Sequence, residues 1–180
     1  MRHIRRAGPS FYLFLLVIAP LTYLIHEAAH WLMGEALGHA MSFSINGSGP
    51  SSPTSVRDHL LISAAGPAMT LMQGVVAFLL VRGRDSLIAY GVLFFALAMR
   101  ATAAAVSIFH LNDEARISDS LGLGAWTLPL LMVAVMLALT VIASRYLRLG
   151  WKTNVGAYLV STVATTVIVM GDMLVKNGLG

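Results

Sequence analysis

Five apolar stretches, each about as long as a bilayer is thick when helical, constrain this chain more than anything else in it. They cover roughly residues 11–37, 59–81, 86–109, 125–146 and 155–175. About 20 residues of helix cross the hydrocarbon core of a membrane, so every stretch is long enough to span it. Only 11% of the 180 residues are charged while 57% are hydrophobic, against about 25% charged in an ordinary soluble domain. Mean hydropathy is +0.78, and too little polar surface exists to coat a water-soluble globule. Lipid has to be the solvent, and a helix satisfies its own backbone there. The expected fold is an all-α integral membrane bundle of about five transmembrane helices. It forms one domain over 1–180, with no soluble module and no internal repeat.

The breaks carry the remaining organisation. Arg82-Gly83-Arg84-Asp85 and Arg148-Leu149-Gly150-Trp151-Lys152 are short connections. Two breaks are longer: 38–58, rich in Gly, Ser and Pro, and 111–124, which holds Asn112, Asp113, Glu114 and Asp119. The start, Met1-Arg2-His3-Ile4-Arg5-Arg6 before an apolar run, has the look of a signal peptide. The apolar region continues past Pro20 to about Leu37 without a small-residue cleavage site, so a retained first span is expected. The net charge of +4 fits basic residues at a membrane surface, and no nucleic-acid partner is expected. With five spans, one side collects Arg2, Arg5, Arg6, Arg82, Arg84, Arg145, Arg148 and Lys152. The other has only Arg57, Arg116 and Lys176. That asymmetry favours a cytoplasmic N-terminus. The absence of cysteine excludes disulfides and thiolate metal sites.

Chemistry concentrates in His26-Glu27-Ala28-Ala29-His30. Residues four apart share a helix face, so both imidazoles can reach one zinc. Glu27 is close enough to take a proton from water acidified by the metal and to hand it to a leaving amine. Three polar groups in five residues of a membrane span are costly without a partner. Two other readings exist. The first span can end near Leu24, leaving His26 to His30 interfacial, or the histidines can ligate haem together with His59 and His110. The haem reading leaves Glu27 unexplained.

Two histidines leave a catalytic zinc one protein ligand short. Asp113 follows span three at the bundle end reached by His30, because spans one and three run in the same direction. Asp119, Glu114 and His110 compete with it, although Glu114 and Asp119 read better as solvated loop charges. Among the other polar and small residues, Gly66-Pro67 reads as a packing and kink device and Pro20 as a bend below the metal pair. Gly34 and Gly38 form a G-x-x-x-G spacing that can bring helices close. Arg100, well inside span three, can pair with an acidic group such as Asp172, snorkel, or orient substrate carbonyls.

Three stretches resemble the site-2 protease family of intramembrane zinc metalloproteases. The first is Ile25-His26-Glu27-Ala28-Ala29-His30-Trp31, running on through Gly38 to Met41-Ser42-Phe43-Ser44-Ile45-Asn46-Gly47. The second, Ala64-Ala65-Gly66-Pro67-Ala68-Met69-Thr70, is similar to the family's A-G-P-x-x-N, with Thr70 where the family has Asn. The third, Asp113-Glu114-Ala115-Arg116-Ile117, is similar to its D-G-G-R-I, without a glycine after the aspartate. The resemblance implies a three-helix metalloprotease core over about 11–120, with spans at about 125–146 and 155–175 as additions. It implies one Zn2+ per chain held by His26, His30 and Asp113, with Glu27 as the catalytic base. It also implies a metal-helix end facing the cytosol, as in bacterial members, opposite to the charge count.

The function expected from these readings is zinc-dependent endopeptidase action on membrane-protein substrates. The substrate is a transmembrane protein or peptide, met within the lipid bilayer of a bacterial-type cell membrane. An extended segment over 42–46 can pair with an unwound substrate by strand addition. The alternative is a catalytically silent, zinc-binding membrane scaffold that binds other membrane proteins, although such a scaffold has no need of Glu27. A transporter is disfavoured, since paired broken helices in both halves are missing.

Overall fold

The computed structural model describes residues 6–178; the N-terminal basic residues Arg2 and Arg5 lie outside the described residues. Six helices and one hairpin follow in order: α1 (Pro9–Ala36), β1 (Met41–Ser44), β2 (Gly47–Pro50), α2 (Val56–Arg84), α3 (Leu87–Val106), α4 (Asp113–Ser120), α5 (Thr127–Tyr146) and α6 (Trp151–Gly178). All helices except α4 are long and apolar enough to cross a membrane. The chain is thus an almost wholly helical protein with five candidate spans.

Local chemistry sets the boundaries. Pro9 opens α1, where a missing N–H costs nothing, and the helix then runs on through Pro20. Ser55 caps α2 by accepting from the Asp58 N–H at 3.1 Å, which starts that helix ahead of the expected His59. At the far end α2 continues past Val81 to Arg84. The third span stops at Val106, short of Phe109. Ser107 turns the chain there, its hydroxyl donating to Ala103 O and accepting from the Asn112 N–H at 3.2 Å. Asn112 then caps α4, its Oδ1 accepting from the Ala115 N–H at 2.8 Å. The acidic run expected to be loop is therefore an eight-residue helix.

The expected extended segment 42–46 is only partly so. Ser44 pairs with Gly47 across an antiparallel hairpin, and Ile45 and Asn46 form its two-residue turn. Gly34 and Gly38 do not bring two helices together. A methyl on Gly34 would sit 2.1 Å from Met41 Sδ, so this glycine seats the hairpin against α1. Gly38 takes a left-handed φ of 84° in the turn beyond the helix, a conformation that suits glycine.

α3 is the central helix, packed against α1, α2, α5 and α6. Its apolar window is 56% buried, against 22% for α6, which lies at the rim. Leu15, Tyr90, Leu93, Phe95, Met99 and Met136 fill the core. Up-and-down connection puts the end of α1, the hairpin, the start of α2, the end of α3 and α4 at one end of the bundle. Arg6, Arg82, Arg84, Arg145, Arg148 and Lys152 fall at the opposite end.

Candidate metal centre

The histidine pair lies well inside α1, with His30 about 9 Å of helix below Ala36 at 1.5 Å per residue. His26, Glu27 and His30 are 2%, 7% and 4% exposed and α1 continues unbroken beyond them to Ala36, so the pair belongs to the packed interior rather than to an exposed helix end. Helical spacing puts the two rings on one face, where they meet edge to face at 84°, and α2 closes over them.

Each imidazole is oriented from behind. His30 Nδ1 lies 2.6 Å from Ile62 O, and a carbonyl can only accept, so Nδ1 carries the proton. His26 Nδ1 lies 2.9 Å from Thr70 Oγ1, while that hydroxyl donates to Gly66 O at 3.1 Å. Its proton is thereby committed, and His26 Nδ1 is the donor. In the neutral rings both Nε2 atoms therefore present lone pairs. Those two atoms face each other at 3.1 Å.

Asp113, the first residue of α4, completes the set. Its Oδ2 lies 3.4 Å from His26 Nε2 and 3.3 Å from His30 Nε2. Its other oxygen is held by Arg116. Burial alone would raise the Asp113 carboxyl, but with a proton on the histidine pair, hydrogen bonds and charge from His26 and His30 more than reverse this and hold it well below the usual carboxylate range. Three electron-rich atoms so close together require a positive charge among them, either a proton or a metal ion. Bonds of about 2.0–2.1 Å at tetrahedral angles place zinc ligands about 3.3–3.4 Å apart. The two sides that run to Asp113, 3.4 and 3.3 Å, fit that span and the 3.1 Å between the imidazole nitrogens is slightly shorter, and the group could hold a metal ion.

Gly66 makes the approach of α2 possible. A methyl there would lie 2.2 Å from His30 Nε2 and 2.7 Å from His26 Nε2. Neither atom can retreat without leaving the triangle, so a side chain at position 66 competes with the centre itself. Pro67 follows, with no N–H for the Ser63 carbonyl. In that same turn the Ile62 carbonyl serves His30.

A cavity of about 400 Å³ opens beside the triangle, walled in part by Tyr23, Glu27, Asn46, Arg100, Asn112 and Asp113. Glu27 reaches it directly from the residue after His26, and no hydrogen bond or ion pair holds its carboxylate among the described residues.

The competing ligands go elsewhere. Asp119 is exposed on α4, and His110 is exposed at the cavity's edge. His59 is exposed and lines a surface pocket with the 50–54 loop, so a haem site shared by His59, His110 and the α1 pair is not assembled. Glu114 departs from its expected place among the solvated charges. It is 4% exposed, and its Oε1 accepts from Arg100 Nη1 at 3.0 Å. Arg100 thus pairs across the α3–α4 turn rather than with Asp172, which binds Lys176 at 2.6 Å and accepts from Ser44 Oγ at 3.3 Å.

Thr70 and Gly66 are the residues whose part in the centre the sequence hid. Their i, i+4 spacing on an apolar helix was the available signal. No protein-family model, curated protein or solved structure matches this chain.

Proposed function

We propose that the protein is a zinc-dependent endopeptidase that hydrolyses peptide bonds of membrane-protein substrates in or beside the bilayer. One observation carries the reading: the donor atoms of His26, His30 and Asp113 converge, and two of these residues, His26 and Asp113, line a cavity together with the unpaired Glu27. Two neutral imidazoles and a carboxylate suit zinc, and three protein ligands leave one position open. When bound, zinc polarises a carbonyl and makes water acidic enough to attack near neutral pH. Glu27 takes the proton released by that water and delivers it to the amine that departs. Thr70 and Ile62 keep both rings in the tautomer that faces Nε2 inward.

α1, α2 and α4 supply all of these groups, and α3 carries the chain to α4, which supports a three-helix core with α4 attached and with α5 and α6 as additions. A helical substrate shields its own peptide bonds, so the scissile segment has to unwind before entering.

The test is a reporter membrane span incubated with purified protein and with Glu27→Gln. The variant should keep one zinc per chain and lose cleavage by about 10²–10⁴-fold, the usual worth of general acid–base catalysis. Cleavage near the wild-type rate would remove Glu27 from its role. Zinc bound at full stoichiometry by a wild type that cleaves nothing would mark the silent scaffold instead.

A further inference from the structure

Two buried hydrogen-bond donors, on residues that line the same cavity, have no acceptor among the described residues. Arg100 is 4% exposed on α3 and gives Nη1 to Glu114, yet its Nε–H is buried without a partner. Asn112 spends its Oδ1 on capping α4, which leaves its Nδ2 buried and unpartnered. Both residues line the cavity with Glu27 and Asp113.

Neither deficit is explained by folding alone. Leaving a buried donor unpaired costs about 1–3 kcal/mol, and a buried ion pair is weak evidence for stability. An aspartate at position 112 would cap α4 as well as asparagine, without presenting an amide. Glu114 fixes one edge of the guanidinium while the rest stays uncommitted. Preset donors of this kind, in a site shielded from bulk water, stabilise an oxygen that gains negative charge.

We infer that Arg100 and Asn112 form an oxygen-binding cradle for the scissile peptide, receiving its carbonyl oxygen and the negative charge that oxygen develops. This rests on the endopeptidase reading and names the residues that would hold its substrate. The ligand class is a peptide carbonyl or its tetrahedral, anionic form. Arg100 supplies positive charge, Asn112 supplies a neutral donor, and neither holds the metal.

The probe is a peptidyl phosphinate, a stable tetrahedral anion, titrated calorimetrically into the zinc-loaded full chain in detergent. Zinc content is measured on the same samples. Arg100→Gln and Asn112→Ser should keep their zinc and bind the phosphinate at least tenfold more weakly. Serine retains the α4 cap, so a capping defect is not the cause. Arg100→Lys keeps a charge for Glu114 but loses the planar fork, and should also bind the phosphinate more weakly; it serves where Arg100→Gln fails to fold. In cleavage, each variant should lose about 10²–10³-fold in kcat with KM near that of the wild type.

Phosphinate affinity within twofold of wild type in the Arg100 and Asn112 variants would overturn the cradle. So would a loss that tracks loss of zinc, or a wild type that binds no phosphinate. The two levels fail separately. Phosphinate binding that needs Arg100 and Asn112, in a wild type that cleaves no span, removes the endopeptidase and leaves the cradle. Cleavage that needs Glu27 but survives both substitutions does the reverse.

Discussion

At the basic end of the bundle the Tyr90 hydroxyl donates to Asn154 Oδ1 at 2.7 Å, and the Asn154 amide donates to Ser144 Oγ at 3.0 Å. This chain joins α3, α5 and α6, and its donors meet acceptors. At the other end, two imidazole nitrogens and a carboxylate oxygen face one another, and Arg100 Nε, Asn112 Nδ2 and Glu114 Oε2 have no partner among the described residues. Both clusters put polar groups inside an apolar bundle, where each unmet hydrogen bond is costly. A network that closes on itself holds helices together. One that stays open, with acceptors crowded at one point and donors idle beside it, is arranged for something that comes from outside the chain. If that contrast is right, substitutions at the two ends should fail in different ways: one end should lose metal and keep its fold, and the other should lose stability and keep its metal.

The largest effect is expected at the histidines. His26→Ala or His30→Ala removes one of three donors and should abolish zinc binding, read by elemental analysis of purified protein. Gly66→Ala should do the same by crowding both Nε2 atoms. Helicity should persist in each case, because α1 keeps its apolar packing. Full zinc content in either histidine variant would break the comparison at its stronger side.

Next comes the carboxylate. Asp113→Asn should weaken zinc binding more than tenfold, measured by competition with a chelator, since an amide brings no charge to the triangle. Asp119→Asn should change it little, as that side chain is exposed. Reversed results would move the third ligand along α4 and leave the histidine pair in place.

A smaller effect is expected one layer out. Thr70→Val keeps shape but takes away the acceptor of the His26 Nδ1 proton. Groups in this position tune affinity by about 10–100-fold, and the lower end is expected here because His30 keeps its carbonyl. Unchanged zinc affinity would mean that helix packing alone orients the His26 ring.

How much of this was legible in the sequence differs between the same two ends. The spans declare themselves by apolar length, and the His26–His30 pair by its spacing on one helix, because both signals are local. Ser55 and Asp58, three apart, also carried the earlier start of α2. Asp113 was reachable by position, since parallel spans place it level with His30. The Arg100–Glu114 pair was not. It spans a turn whose shape depends on Ser107 and on the Asn112 cap, and Glu114 in an acidic run looks like a solvated charge until α4 folds it inward. The orienting role of Thr70 was equally hidden, because it depends on how α2 rotates against α1. The Tyr90–Asn154–Ser144 chain was not singled out at all, as lone polar residues in three separate spans share no spacing.

The smallest effect should come from that closed chain. Tyr90→Phe deletes the hydroxyl that donates to Asn154 and leaves the ring, which is fully buried beside Phe11 and Phe94. Ring packing is conserved, so the loss is that of one hydrogen bond within a bundle. Such bonds between membrane helices average about 0.6 kcal/mol and reach about 1.7 kcal/mol. The Asn154 amide still has Ser144 as an acceptor, which limits the damage and argues for the lower value. Unfolding in mixed micelles should therefore shift by about 0.6 kcal/mol, while zinc content and affinity stay at wild-type levels. A shift above about 2 kcal/mol would show that the chain holds α6 to the bundle more firmly than one bond can. Loss of zinc would be the more damaging outcome: it would mean that the closed cluster and the open one are coupled through α3, and that neither end can be understood alone.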